Sequence, residues 1–213
     1  MYKAMNMNLR NRIVKLLAAS CTLLLFSFFL QPKSIYTVPF NDLDNHKVNL
    51  FPYMGKKIVF ITLSGKEADS TLKQLSAFCM KYKDSAVIIG VLSIEDGYND
   101  AEKKVVKARY NGKIPELILT EGMYTRNTST GQSALMQWLT HKEQNLRVDK
   151  DVTEAGCKFF IDEGGMLYGA LGARFTLTSP FIQRVMSKPS RPGTSAPELE
   201  KRRKEMKLRK QGN

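Results

Sequence analysis

The sequence predicts an α/β protein, a mixed β-sheet with helices on its faces. Three observations carry that reading. Two short apolar runs, Lys57–Leu63 and Ala86–Leu92, are rich in β-branched residues and flank a segment of helical periodicity. Two further runs, Lys158–Asp162 and Met166–Gly169, are joined by the turn residues Glu163-Gly164-Gly165, as in a β-hairpin. The strong basicity of the 213-residue chain, net charge +13, sits at its ends and not in the part that should fold.

Taken in order, the chain opens with Lys3, Arg10, Arg12 and Lys15 and no acid, then an uncharged run from Leu16 to Leu30. A basic flank before an apolar run describes a signal peptide or an uncleaved membrane anchor over residues 1–31. The flank predicts the N-terminus in the cytoplasm and the folded domain exported or anchored on the non-cytoplasmic side. The expected membrane contact is through this segment. Residues 35–187 are the expected globular domain. Within it, Phe40–Leu50 predicts a hairpin turning at Asp44-Asn45. Lys57–Leu63 is a buried strand, and Ser64-Gly65-Lys66-Glu67-Ala68-Asp69 is a polar loop. Leu72, Leu75, Cys79 and Tyr82 then mark the apolar face of a helix. Because a helix separates Ala86–Leu92 from the first strand, the two should pair in parallel. Tyr98–Tyr110 predicts a charged helix and Ile114–Leu119 a third strand opened by Pro115. Ser133–Thr140 is a helix carrying Leu135, Trp138 and Leu139. After the hairpin, Ser179-Pro180 should cap a last helix bearing Phe181, Ile182, Val185 and Met186. Residues 188–213 are Pro/Ser-rich, then basic, and predict a disordered tail.

Charge narrows the function. The first 15 residues carry +4 and residues 188–213 carry +6, leaving +3 for the rest. A nucleic-acid-binding core needs its bases on a folded face with aromatics among them, so no nucleic-acid partner is expected. Three cysteines, Cys21, Cys79 and Cys157, make no disulfide framework. Cys21 lies in the N-terminal apolar run. Cys79 falls on the apolar helix face and reads as a small core residue. Cys157 is left as the candidate thiol. His46 sits at a turn and His141 at a helix end, without ligand spacing, so no metal centre is expected.

The strand, loop and helix from Gly55 to Tyr82 have a further meaning. In redox proteins a helix N-terminus after such a strand stabilises a thiolate. This loop contains no cysteine.

The order of elements and several landmarks resemble the glutathione peroxidase family, a branch of the thioredoxin-like fold. The landmarks are Phe40-x-x-Leu43-Asp44-x-x-x-Val48-x-Leu50, then Tyr53-x-Gly55-Lys56, Ile88-Ile89-Gly90-Val91, Ser133–Leu139, and Lys158-Phe159-Phe160-Ile161-Asp162-x-Gly164-Gly165. The resemblance implies a thioredoxin-like fold, with a central mixed sheet flanked by helices. It also implies peroxide reduction by a Cys or selenocysteine supported by Gln, Trp and Asn. This chain departs at all four positions. The nucleophile position falls at Lys66 or Glu67, the Gln position near Glu95, and the Trp-Asn pair at Glu154-Ala155. Neither Lys nor Glu can be oxidised to a sulfenate. Carboxylates at positions 95 and 154 would raise a nearby thiol's pKa. The expected mouth of the site is a mainly acidic cluster, Glu67, Asp69, Glu95, Asp96 and Glu154, with Lys66 as its one base.

Two functional expectations follow from the resemblance. The first is a degenerate member of the family that serves as a binding or structural module with a protein partner the sequence does not name. The second is an active thiol peroxidase or oxidoreductase that works through the relocated thiol Cys157 or a partner's thiol. No cofactor is expected. Glutathione or thioredoxin would be the reductant only in the active case.

Overall fold

The structure, a computed structural model, describes residues 34–189. The expected N-terminal anchor, residues 1–31, and nearly all of the expected tail lie outside those residues. Among the described residues no helix is long and apolar enough to cross a membrane.

Five strands form one mixed sheet in the order β3-β2-β1-β4-β5. They are β1 (Lys57–Leu63), β2 (Ala86–Ser93), β3 (Ile118–Met123), β4 (Lys158–Ile161) and β5 (Leu167–Leu171). β1 is central: it pairs parallel with β2 and antiparallel with β4. All seven of its residues are buried, which is why it reads as an unbroken apolar run and not an alternating one. Among the described residues the α-helices are α1 (Asp69–Tyr82), α2 (Lys103–Asn111), α3 (Ala134–Thr140) and α4 (Lys142–Asn145) between strands, and α5 (Pro180–Met186) after β5.

The two faces of the sheet are covered differently. On one face Leu72, Leu75, Phe78 and Cys79 of α1, Val106 and Tyr110 of α2, and Ile182 and Met186 of α5 pack on Val59, Ile61, Ile88 and Phe160. On the other, Leu135, Met136, Trp138 and Leu139 of α3 join Ile35, Phe40 and Leu50 against Ile58, Phe60, Ile89 and Phe159. Side chains alternate between these layers along each strand, as the period of two requires. Burying leucines such as Leu72 and Leu75 contributes about 1.5–3 kcal/mol each.

The Ser179 cap falls where the sequence places it, and a further cap forms at Ser133. Ser133 accepts from Met136 N–H and Ser179 from Ile182 N–H, with Pro180 in the first turn of α5. Three expectations shift. The third strand begins at Ile118, not Ile114, because the chain leaving α2 makes turns first: Ile114 N–H donates to Tyr110 O at 2.7 Å and Leu117 N–H to Ile114 O at 3.1 Å. The charged helix begins as a short 3-10 turn, Asp100–Glu102, and is α-helical from Lys103. The hairpin over Phe40–Leu50 reduces to a single bridge, Asn41 to Lys47, because Asp42 also bridges to Thr120 of the sheet.

β2 and β3 slip register between Gly90 and Leu92. The Thr120 hydroxyl there accepts from Leu92 N–H at 3.2 Å, replacing a ladder bond. A Cβ at Gly90 would lie 2.5 Å from Leu63 and 2.9 Å from Leu119, so only glycine fits this crossing.

Candidate functional site

The C-terminal end of β1 and the start of α1 are joined by Ser64–Ala68, a turn whose side chains are polar except at Gly65 and Ala68. Gly65 has φ +79°, a conformation glycine adopts without strain, and a Cβ there would lie 3.3 Å from the Tyr98 and Val106 side chains. The turn is tied inward. Glu67 Oε1 accepts from Ser64 N–H at 2.5 Å and from the Ser64 hydroxyl at 3.0 Å. Glu67 Oε2 accepts from the hydroxyl of Tyr110 on α2. Lys66 N–H donates to Ser64 Oγ at 3.0 Å, and the Arg109 guanidinium donates to the Glu67 carbonyl. Burial, with the Glu67 charge beside it, holds the Tyr110 phenol well above its ordinary pKa, so it stays a donor.

The segment before β4 reaches the same end of β1. Asn145 steers it there: its amide donates to Trp138 O at 2.9 Å and Val148 O at 3.0 Å, and its oxygen accepts from the N–H groups of Arg147 and Val148 at 2.8 Å. Gly156 N–H then donates to Thr62 O at 2.7 Å, and Cys157 N–H to Thr62 Oγ1 at 3.0 Å. Between this segment and the β1–α1 turn lies a cavity of about 310 Å³. Ser64, Glu67, Leu75, Ala155 and Lys158 contribute to its lining.

The structure therefore brings Glu67 and Ala155 to one cavity. Lys66 is exposed and pairs with Glu102 at 3.0 Å. Glu154 is exposed, and its carbonyl is the acceptor of a long 3.5 Å bond from the Thr62 hydroxyl. Glu95 is held elsewhere. Its carboxylate accepts from the N–H groups of Thr125 and Arg126 at 3.0 Å and from the Ser129 hydroxyl at 2.5 Å. Burial raises its pKa, but the Ser129 hydroxyl and these N–H groups outweigh burial and hold it down at about 2.

The expected acidic cluster with one base is not what forms. Asp69 pairs with Lys113 at 2.8 Å and lies 3.6 Å from Arg109, and Asp96 pairs with Arg126 at 2.7 Å. Those three bases come from α2, the turn after it and the loop after β3, so no local reading of the acidic residues finds them. Among the described residues no group of three or more His, Cys, Asp or Glu side chains stands where it could hold a metal ion.

The thiols lie inside. Cys79 is 2% exposed on α1, and burial, with the Glu116 charge, pushes its pKa up to about 12. Cys157 is also 2% exposed and packs in the layer with Trp138 and Phe159, away from the face that carries α1. Its neighbour Lys158 points the other way and lines the cavity. In the sequence Lys158 stands only as a hairpin landmark; the usable signal is a lysine that opens the otherwise apolar strand Lys158–Ile161.

No family model matches the sequence, and no curated protein matches it. Solved structures do match. The apo form of the glutathione peroxidase Trgpx superposes with a TM-score of 0.52 at 18% identity, over 75% of this chain and 99% of that one. T. cruzi GPX1 gives 0.47 at 13% identity, over 80% and 94%. MTB dsbF gives 0.49 at 9%, over 74% and 98%. At these identities the likeness is one of fold. The chain has a thioredoxin-like fold, a five-stranded mixed sheet flanked by helices.

Proposed function

We propose that this protein is a glutathione peroxidase-like member of the thioredoxin fold that has lost the peroxide-reducing nucleophile and works as a binding module. One observation carries the reading. The turn between β1 and α1 offers no thiol, and the carboxylate in its place, Glu67, is bonded inward to Ser64 and Tyr110. Peroxide reduction needs a thiolate with a donor for the leaving oxygen, and no thiol stands in this turn. The sequence resemblance and the Trgpx likeness support the family side of the proposal. Residues 1–31 are proposed to anchor or export the domain to the non-cytoplasmic side, on the strength of their basic flank and apolar run.

The competing reading uses Cys157 as a relocated nucleophile. Its position two residues after Ala155 favours it, and its 2% exposure opposes it. The two part on one experiment: the full-length chain is titrated with hydrogen peroxide, with intact mass and site mapping, and assayed with glutathione and thioredoxin. Slow oxidation spread over cysteine and methionine, without turnover, is the expected result. Fast, selective oxidation of Cys157 that either thiol reverses would replace the binding-module reading with an enzyme.

A further inference from the structure

Two lysines of the described domain are almost fully buried, and they are treated differently. Lys57, 8% exposed, has a carboxylate partner: its Nζ donates to Glu163 Oε1 at 2.7 Å. Lys158, 4% exposed, has none within 4.0 Å among the described residues. Its Nζ donates to the Phe175 carbonyl at 2.5 Å and, at 3.5 Å, to that of Ala173. An ammonium has three donors, and two carbonyls take at most two of them. Carbonyls also bring no formal charge. A buried cation without a counter-charge is costly. Burial accordingly lowers the Lys158 pKa against the opposing pull of Cys157 and Glu154.

Lys158 lines the cavity of about 310 Å³ beside the β1–α1 turn. That volume is at the small end of the roughly 300–1,000 Å³ typical of small-molecule sites. The walls are largely apolar, with Ile61, Leu63, Leu75 and Leu177, and Thr71 and Gln74 at the rim are exposed. Glu67 also lines the cavity, but its two carboxylate oxygens are taken up by Ser64 and Tyr110.

We propose that this cavity binds a small amphipathic carboxylate, its chain against Leu75 and Leu177 and its carboxylate on Lys158 Nζ. The ligand supplies the counter-charge that Glu163 supplies to Lys57. The proposal rests on the reading of this site as a binding module and names the chemistry it would recognise.

The test is calorimetric titration of the full-length chain with hexanoate and with hexan-1-ol, on the wild type and on Lys158→Met. A charge-assisted hydrogen bond contributes about 1.5–3 kcal/mol, so hexanoate should bind at one saturable site about tenfold or more tighter than the alcohol. Lys158→Met should lose that advantage while still binding the alcohol as before. Absence of saturable hexanoate binding, equal affinity for acid and alcohol, or undiminished hexanoate binding by the variant would each overturn the proposal. The acid-against-alcohol comparison on the wild type decides the matter even if the variant does not fold. Peroxide turnover is measured separately: turnover beside intact hexanoate binding removes the binding-module reading and keeps the site, and lost binding without turnover does the reverse.

Discussion

The Tyr110 hydroxyl donates to the carboxylate of Glu67, so the second helix of the domain holds the turn that opens the first. The bond joins residues 43 apart in sequence. Removing the hydroxyl alone, with Tyr110→Phe, leaves the buried ring and takes away one donor to a charged acceptor. A loss of about 1.5–3 kcal/mol is expected, read from urea unfolding at neutral pH. An unchanged midpoint would show that the turn does not depend on the Tyr110 hydroxyl.

Tyrosine ionisation gives a second view of the same contact. Burial raises the phenol pKa of Tyr36, Tyr98, Tyr110 and Tyr168, for Tyr98 to about 12. A raised folded-state pKa gives stability that is complete below the unfolded value near 10 and declines as pH rises through the folded one. These four phenols should therefore ionise only above that value, in step with unfolding. Ultraviolet titration beside circular dichroism checks this. Four buried phenols titrating near pH 10 in the folded protein would refute it.

Glu95 has the opposite sign. Its folded pKa of about 2 lies below the ordinary 4.5, so the stability it adds is present above the unfolded value and lost as pH falls toward 2. Glu95→Gln should be less stable than the wild type at pH 7, by about 1 kcal/mol. The gap should close by pH 3 to 2. Urea midpoints of both proteins across that range make the comparison, and a pH-independent gap would assign the loss to shape rather than charge.

The buried pair of Lys57 and Glu163 is 2.7 Å apart, with both side chains about nine-tenths buried. Lys57→Met takes the counter-charge from a buried carboxylate, so it should cost about 3–5 kcal/mol. The double variant with Glu163→Leu should recover much of that. Thermal unfolding of the single and double variants tests the coupling.

Gly122 offers a steric check on the crowded end of the sheet. A Cβ there would collide with Tyr98 Cε1 and lie 2.5 Å from its Cδ1. Gly122→Ala should cost about 1–3 kcal/mol by overpacking. Gly97, at which an added Cβ meets nothing within 4 Å, has a positive φ of +105° and tests backbone strain separately.

What the sequence made legible was local. β1 could be placed to the residue because seven buried positions in a row leave no other reading. The cap at Ser179 followed from residue type alone. β3 was misplaced because Pro115 sits in a turn whose bonds run back to α2, and a proline looks the same before a strand as within a turn. The site was half visible. The missing thiol is a property of the sequence, whereas Tyr110, Arg109 and Lys113 reach the turn only through the fold. Lys158 needs the fold for a simpler reason: that no carboxylate among the described residues lies within 4.0 Å of it is a matter of packing, not of sequence.

Gly65 turns the β1–α1 connection with its φ of +79°, and Ser64, Glu67 and Tyr110 close its polar groups on one another. A turn so closed offers a visitor contour instead of reactivity. Variation at the rim, at Thr71, Gln74 and Leu177, would then change what the hollow recognises while the mould beneath it keeps its form. On the proposed reading, the architecture that elsewhere sharpens a nucleophile would act here as a fixed template, known by the shape of the hollow.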